Sequence, residues 1–118
     1  MKTILLSPQK DKNAVKTAAD FILQGEVVGM PTETVYGLAA NALNGEAVAK
    51  IFRAKGRPQD NPLIVHIADF EQIYDLCPAV PPQAKLLAEA FWPGPLTMIV
   101  PKGDCIPNEV SCGLETVG

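Results

Sequence analysis

Residues 53–67 read Arg-Ala-Lys-Gly-Arg-Pro-Gln-Asp-Asn-Pro-Leu-Ile-Val-His-Ile, and this stretch joins a cationic segment to a compact apolar run. The chain has 10 Lys and Arg residues, and four of them lie close together, at Lys50, Arg53, Lys55 and Arg57. The apolar run 63–67 is typical of a short strand. A cationic cluster in a chain of net charge −3 predicts a local anion site, and a phosphate group has the right size and charge.

The composition indicates a single globular domain. The chain has 118 residues, of which 47% are hydrophobic and 19% are charged. Because the net charge is negative, any contact with RNA would have to come from a local basic patch. Three cysteines without C-x-x-C spacing, together with one histidine, argue against a zinc site and favour a reducing cytosol. No apolar run is long enough to span a membrane, so we expect a cytoplasmic protein.

Strands and helices alternate along the sequence, which indicates the α/β class. The expected strands cover residues 3–6, 27–30, 63–67 and 96–100. The expected helices cover residues 13–24, about 46–54 and 69–76, and a further one begins at Pro82. Gly25 has the position of a glycine that ends a helix. The predicted inward faces contain Val15, Ala18, Ala19 and Ile22 in the first helix, Ala47, Val48, Ile51 and Phe52 in the second, and Ala84, Leu87, Ala88 and Phe91 in the last.

The segment Lys55-Gly56-Arg57-Pro58 is the strongest local candidate for phosphate chemistry. Proline disfavours the helical region for Arg57, and if Lys55 is extended as well, both cations point to the same side. Gly56 would let the backbone approach a ligand closely. Lysine supplies a point charge and arginine a planar fork that matches two phosphate oxygens. The alternative is a solvated helix end, where cations favour the helix dipole.

The segment Pro31-Thr32-Glu33-Thr34 follows a predicted strand and precedes an apolar stretch that could be helical. Thr32 or Thr34 could cap that helix, whose free N–H groups could also bind an anion. Glu33 is either a general base or a carboxylate at a helix start. Tyr36 fits either the core or the wall of a pocket.

His66 is the single histidine of the chain, and it lies in the predicted strand 63–67. Alternation places Leu63, Val65 and Ile67 on one face, and Ile64 and His66 on the other. A lone histidine in a strand is either a hydrogen-bonded core residue or part of a pocket, and both interpretations stay open. Ser111 and Thr116 offer hydroxyl groups near the last residue, without a local pattern that singles them out.

Four segments of the sequence resemble the Sua5/YciO/YrdC family in order and spacing. They are Pro31-Thr-Glu-Thr-Val-Tyr-Gly-Leu38, Lys55-Gly-Arg-Pro-Gln-Asp-Asn-Pro-Leu-Ile-Val-His-Ile67, Phe91-Trp-Pro-Gly-Pro-Leu-Thr97 and Gly113-Leu-Glu-Thr-Val117. The form of the second segment is similar to the Sua5 branch. The resemblance runs from about residue 13 onward.

This resemblance implies an α/β fold with a twisted, largely mixed β-sheet flanked by helices around a basic cavity. It implies a nucleotidyltransferase that makes L-threonylcarbamoyladenylate from L-threonine, bicarbonate and ATP, with Mg²⁺ as the accompanying ion. The product would serve the N6-threonylcarbamoyl modification of adenosine 37 in tRNA. Some family members bind double-stranded RNA, so the alternative is an RNA-binding translation factor without catalysis.

The resemblance also implies roles for seven residues, carried over by position. Lys55 and Arg57 match a Lys-x-Arg pair that would hold the ATP phosphates, and they are the catalytic candidates. The implied contacts of L-threonine or its carbamate are Thr32, Tyr36, His66 and Thr116. Ser111 is an implied ATP contact, and the resemblance implies no protein ligand for a metal.

Family domains continue beyond the motif at 113–117, through an arginine and a Ser-x-Asn motif that complete the nucleotide site. We therefore expect residues 1–118 to be the N-terminal part of a YrdC-like domain that is incomplete in this chain. Unpaired sheet edges would invite pairing with another chain. We expect self-association and doubt full activity of this chain alone.

Overall fold

The computed structural model describes residues 1–118 and contains five α-helices and four short β-strands. The helices are α1 (Ala14–Leu23), α2 (Gly45–Lys55), α3 (Ile73–Leu76), α4 (Pro82–Phe91) and α5 (Asn108–Ser111). A 3-10 turn at Phe70–Gln72 leads directly into α3. The strands are β1 (Val28–Met30), β2 (Gly37–Ala39), β3 (Val100–Pro101) and β4 (Thr116–Val117). None of the helices is long and apolar enough to cross a membrane.

The strands form two separate antiparallel ladders. In the first, β1 pairs with β2, with Val28 opposite Ala39. In the second, β3 pairs with β4, with Val100 opposite Val117. The predicted α/β class is confirmed, but this chain forms two small antiparallel sheets where one largely mixed sheet was expected. Each of the four strands pairs with one partner only, so no strand joins the two ladders into one sheet.

The segment 63–67 is extended but belongs to neither ladder. Its backbone is held at two alternate N–H groups, from Leu63 to the Val110 carbonyl and from Val65 to the Gly118 carbonyl, both at 2.9 Å. The predicted alternation is confirmed, since residues 63, 65 and 67 are half-buried whereas Ile64 and His66 are exposed. The expected strand is thus an extended connection that lies against α5 and the end of β4.

Three other predicted elements differ from the structure. Residues 3–6 form no strand, and most of them are exposed, so they lack the burial that would stabilise a ladder. Within 96–100, only Val100 joins a strand. The apolar stretch after Thr34 forms β2 and not a helix, because it pairs back onto β1.

The helices appear near their predicted positions, but only α2 has its full predicted face. Its four predicted inward residues are all buried. The α2 helix begins where the Asn44 side-chain oxygen accepts a hydrogen bond from the Ala47 N–H at 3.2 Å, as expected of a capping asparagine. In α1, Ala14 is buried while Val15 is 68% exposed, so the inward face lies one residue earlier than predicted. In α4, Ala84 and Ala88 are buried, but Leu87 and Phe91 are exposed.

The hydrophobic core is formed by residues from Val48 onward. Eight buried residues form it: Val48, Phe52, Ile73, Cys77, Val100, Ile106, Val110 and Val117. Six of them lie in α2, α3, α5 and the β3–β4 ladder. The other two, Cys77 and Ile106, lie in the segments that connect these elements. The core therefore supports the segments that follow residue 45, whereas the β1–β2 hairpin contributes no residue to it.

Candidate functional site

Lys55 is the last residue of α2, and its side chain is exposed. The condition that Lys55 is extended is not met, and the alternative of a helix end holds, because the helix continues to Lys55 and ends at Gly56, whose φ is 62°. Only glycine adopts this left-handed conformation without a steric penalty. Lys55 and Arg57 therefore leave the backbone from a helix end and a following turn, and not from alternate positions of one strand.

Arg57 holds the loop that follows it. Its guanidinium donates from Nε and Nη2 to the Asn61 carbonyl at 3.3 and 3.2 Å, and from Nη2 to the Pro62 carbonyl at 3.1 Å. Three of its five N–H groups lie on these two nitrogens, so Nη1 is the part of the fork that stays open to a ligand. The loop contact gives Arg57 a positioning role that the sequence did not indicate.

The cationic cluster is divided among different tasks. Lys50 donates to the Gly25 carbonyl at 2.8 Å and pairs with Glu26 at 3.4 Å, so it fastens α2 to the turn after α1. Gly25 has a φ of 83°, as expected of a glycine that ends a helix. The side chains of Lys55 and Arg53 form neither a hydrogen bond nor an ion pair, and both residues are exposed. Within the cluster 50–57, the cations able to meet an external anion are therefore at the end of α2.

Thr32 organises the loop between β1 and β2 and does not cap a helix. Its hydroxyl donates a short hydrogen bond to the Val35 carbonyl and accepts one from the Thr34 N–H at 3.4 Å. Every residue from 31 to 36 is exposed, and Tyr36 is 79% exposed. Tyr36 therefore lies outside the core, and both it and Thr32 are accessible to a ligand.

His66 lies at a cavity of about 640 Å³, which the extended segment 63–67 shares with several other elements. The turn 92–97 forms one wall, where the Trp92 indole donates to the Leu96 carbonyl at 2.8 Å. Phe70 lies 6.1 Å from the Trp92 ring, between centroids, and forms another part of the lining. Glu33 reaches the same cavity from the 31–36 loop. Of the seven predicted site residues, His66 alone lines it.

The charge of this cavity differs from the basic character that was expected. Four carboxylates line it, against one lysine and His66; these ionisable residues are Glu33, Asp69, Glu71, Glu89, Lys85 and His66. Sequence reasoning missed Lys85 and Glu89 as lining residues. Their spacing on α4 could have indicated a shared face, since residues four apart on a helix are neighbours. The exposed cations Arg53 and Lys55 at the end of α2 thus lie outside the lining of this cavity.

Ser111 and Thr116 occupy different environments in the second half of the chain. Ser111 is 1% exposed, and its hydroxyl accepts a hydrogen bond from the Lys102 ammonium at 2.7 Å. Thr116 is exposed on β4, where it pairs with Pro101. Thr116 is therefore open to a ligand, whereas Ser111 is held inside the fold.

Burial raises the pKa of two of the three cysteine thiols. In Cys77 burial is the main cause, and nearby Cys105 adds to it. In Cys112 burial and then the Asp60 carboxylate raise the pKa, whereas Arg57 lowers it. The two thiols are therefore held in their neutral form, which is poor chemistry for a nucleophile. No group of three His, Cys, Asp or Glu side chains is placed to hold a metal ion.

Comparison with known proteins agrees with the sequence motifs. The model of the Sua5/YciO/YrdC family, described as "Telomere recombination", matches residues 20–118. Threonylcarbamoyl-AMP synthase of Bacillus subtilis is 57% identical over 104 residues, which are 87% of this chain and 30% of that protein. The chain thus spans about a third of the length of this relative.

Two solved structures from Pyrococcus abyssi match the fold closely. A double-alanine variant of Sua5 superposes with a TM-score of 0.93 at 50% identity, and the match covers 98% of this chain and 36% of that one. Sua5 complexed with L-threonine superposes with a TM-score of 0.87 at 53% identity, covering 91% of this chain and 32% of that one. The family match covers most of the sequence and agrees with these structures, so the chain belongs to the Sua5/YciO/YrdC family.

Proposed function

We propose that this chain forms the part of a threonylcarbamoyl-AMP synthase that binds L-threonine and the phosphates of ATP. The observation that carries the proposal is the 53% identity to a Sua5 that was solved with L-threonine, over 91% of this chain. Accessible side chains at two of the implied threonine contacts, Thr32 and Thr116, are consistent with it.

The reaction we propose is adenylyl transfer to a carbamate. The amine of L-threonine attacks the carbon of bicarbonate, and a water molecule leaves as the carbamate forms. A carbamate oxygen then attacks the α-phosphorus of ATP. A new O–P bond forms as the bond to the leaving pyrophosphate breaks. Such a transfer depends mainly on positioning and charge stabilisation, so an activated protein nucleophile is not required.

Each candidate residue has a defined task in this proposal. Lys55 supplies a positive charge to the phosphates from the end of α2. Arg57 would contribute through Nη1 while its other nitrogens hold the loop at 61–62. The amino acid would be held by Thr32, Tyr36, His66 and Thr116. Ser111, the implied ATP contact, is 1% exposed, so it would support the site from inside the fold and not touch ATP directly. Since the chain has no cluster of three metal ligands, we assign Mg²⁺ to the phosphate oxygens of ATP.

The product would serve the t6A modification at adenosine 37 of tRNA, in the cytoplasm. Three free cysteines are consistent with a reducing compartment. Contact with tRNA or double-stranded RNA would have to use Lys55, Arg53 and their neighbours, because the net charge of the chain is −3. An RNA-binding role would be recognised by an affinity that falls steeply with salt and does not depend on L-threonine.

Self-association of the 118-residue chain is also part of the proposal. Leu86 and Phe91 of α4 are 67% and 58% exposed, and Ile99 is 75% exposed. Apolar side chains exposed in this way favour contact with another molecule. Sedimentation velocity across a tenfold concentration range should show a dimer or larger species, and a constant monomer would contradict it.

The first test is calorimetric titration of L-threonine into the chain, with and without ATP and Mg²⁺. We expect Thr32→Ala to weaken binding by roughly tenfold, since it removes a contact to the ligand. Thr34→Ala is the matched control, because Thr34 is an exposed threonine of the same loop whose backbone alone is hydrogen-bonded. Equal losses in both variants, or equal affinity for D-threonine, would contradict the assignment of this site.

A further inference from the structure

Lys102 makes two short hydrogen bonds that the proposed function does not explain. Its ammonium donates to the Asn108 side-chain oxygen and to the Ser111 hydroxyl, both at 2.7 Å. These distances are those of charge-assisted hydrogen bonds. Lys102 directly follows β3, so the two bonds tie the end of that strand to both ends of α5.

The backbone of Lys102 reaches the other side of the same segment. Its N–H donates to the Glu115 carbonyl at 3.0 Å, next to the pair formed by Pro101 and Thr116. One residue therefore holds the segment 111–116 at its beginning through the side chain and near its end through the backbone. This segment carries Thr116 into β4.

The segment 111–116 contains the least favourable backbone of the chain. Cys112 has a φ of 53° and is the one non-glycine residue with a positive φ, and Gly113 follows with a φ of 81°. A non-glycine residue in this region is strained, so surrounding contacts must hold it. A hydrogen bond from the Leu114 N–H to the Ser111 carbonyl at 3.1 Å closes the turn. A tether at Ser111 is therefore placed where the turn needs support.

Burial decides what kind of pair Lys102 and Ser111 form. A lysine within hydrogen-bond distance of a serine hydroxyl is also the arrangement of an activated nucleophile. Ser111, however, is 1% exposed, so a substrate could not reach its oxygen. The pair is a structural support inside the fold.

We propose that Lys102 is a positioning residue for the threonine site, which acts through Ser111 to fix the turn that presents Thr116. The inference rests on the proposed function, because Thr116 is a ligand contact only within that proposal. Lys102 itself touches no substrate. Its removal would leave the exposed part of the turn, Gly113–Thr116, free to take other conformations.

The test combines threonine affinity with amide hydrogen exchange in Lys102→Met, which keeps the length of the side chain and removes its donors. We expect roughly tenfold weaker L-threonine binding, as for other residues that orient a contact from behind it. The Leu114 amide should exchange at least about tenfold faster, because its acceptor is on Ser111. Lys16→Met is the control, since Lys16 is exposed on α1 and pairs with Asp20 only.

Ser111→Ala provides a second variant and closes a double-mutant cycle. Since Lys102 acts through Ser111, the double variant should bind threonine about as weakly as Lys102→Met alone. Lys102→Arg should recover part of the affinity, because it restores charged donors. Additive losses would overturn the proposal, as would a loss of stability in Lys102→Met at unchanged threonine affinity.

Failure of the proposed function would be distinguishable from failure of this inference. If the unsubstituted chain bound no L-threonine, the proposed function would fail for this chain. The exchange measurement would still test whether the hydrogen bond from Lys102 to Ser111 holds the turn in place. Unchanged protection of Leu114 in both Lys102→Met and Ser111→Ala would overturn it, and faster exchange in both would support it.

Discussion

Two regions of the molecule differ in the interactions that stabilise them. The C-terminal corner, formed by α2, α5, β3 and β4, contains Val48, Val110 and Ser111, each at 2% exposure or less. In the 31–36 loop every residue is exposed, and its side-chain hydrogen bonds run through Thr32. The corner therefore supplies stability, whereas the loop offers accessible groups to a ligand. Substitutions in the two regions should separate unfolding from binding.

The largest effect is expected in the corner, from Phe52→Ala. Phe52 is 3% exposed and belongs to the core cluster. Truncation of a buried phenylalanine leaves a cavity and should lower the free energy of unfolding by about 3–5 kcal/mol. Urea denaturation followed by circular dichroism measures this change. Tyr36→Ala in the loop is the control, and it should change stability by less than about 0.5 kcal/mol. Similar losses of stability in the two variants would contradict the conclusion that the corner, and not the loop, stabilises the fold.

The end of α2 connects the two regions, because its helix is buried in the corner while Lys55 is exposed. We expect Lys55→Ala to weaken ATP binding by about tenfold, or about 1.4 kcal/mol, without a loss of stability. Arg53→Ala is the matched control, since Arg53 is an exposed cation in the last turn of the same helix. Calorimetric titration of ATP with Mg²⁺ gives both affinities. If Arg53→Ala lost as much affinity as Lys55→Ala, binding would depend on diffuse charge and not on this position.

A smaller effect is expected from Gly56→Ala. An added Cβ would meet no atom within 4 Å, so the cost comes from the positive φ of 62° alone. That cost is about 1–2 kcal/mol of unfolding free energy. Gly29→Ala in β1 is the control, because its Cβ would also meet nothing within 4 Å and its φ is not positive. Stability in Gly29→Ala should be unchanged or higher. Equal effects in the two variants would show that the α2 end is not strained.

The smallest effect concerns pH. Because burial raises the pKa of the Cys77 thiol in the folded state, its contribution to stability is full below the unfolded pKa of about 8.5. That contribution is lost as the pH rises toward and through the folded pKa. The free energy of unfolding should therefore fall between about pH 8 and 10 more steeply in the unsubstituted chain than in Cys77→Ala.

Cys105→Ala serves as the comparison for this pH dependence, because Cys105 is exposed. It should reduce the slope less than Cys77→Ala does, because burial is the main cause of the raised pKa of Cys77 and Cys105 only adds to it. The burial argument would be refuted by a slope that survives in Cys77→Ala and disappears in Cys105→Ala. Urea midpoints at a series of pH values, under reducing conditions, give the measurement.

Local patterns predicted the helices well where one face is strongly apolar. All four inward residues of α2 were correct, because their spacing is that of one helical face and the helix packs on the core. In α1 and α4 small alanines are buried while larger apolar side chains are exposed. Hydrophobicity alone could not predict which of these residues are buried, since close approach to a neighbouring segment favours small side chains.

The candidate site was predicted as a set of residues but not as an arrangement. Thr32, Tyr36, Lys55 and Thr116 are exposed, which agrees with a binding role and leaves their tasks as predictions. The loop contact of Arg57 and the tether from Lys102 to Ser111 join residues through the fold, and no spacing in the sequence indicates them. Lys85, Glu89 and Asp69 line the same cavity as His66, and this too depends on how distant segments come together in the fold.

The sequence by itself determined the family, the α/β class and the position of most helices, because these depend on motifs and on contacts between residues near in the chain. Tertiary structure alone decided the pairing of the strands, the separation of Lys50 from Lys55, and the burial of Ser111. The physical reason is that hydrogen bonds and burial between distant segments depend on how the chain returns on itself. A side chain's type fixes what it can bind, but its surroundings fix whether it meets a ligand or a neighbour.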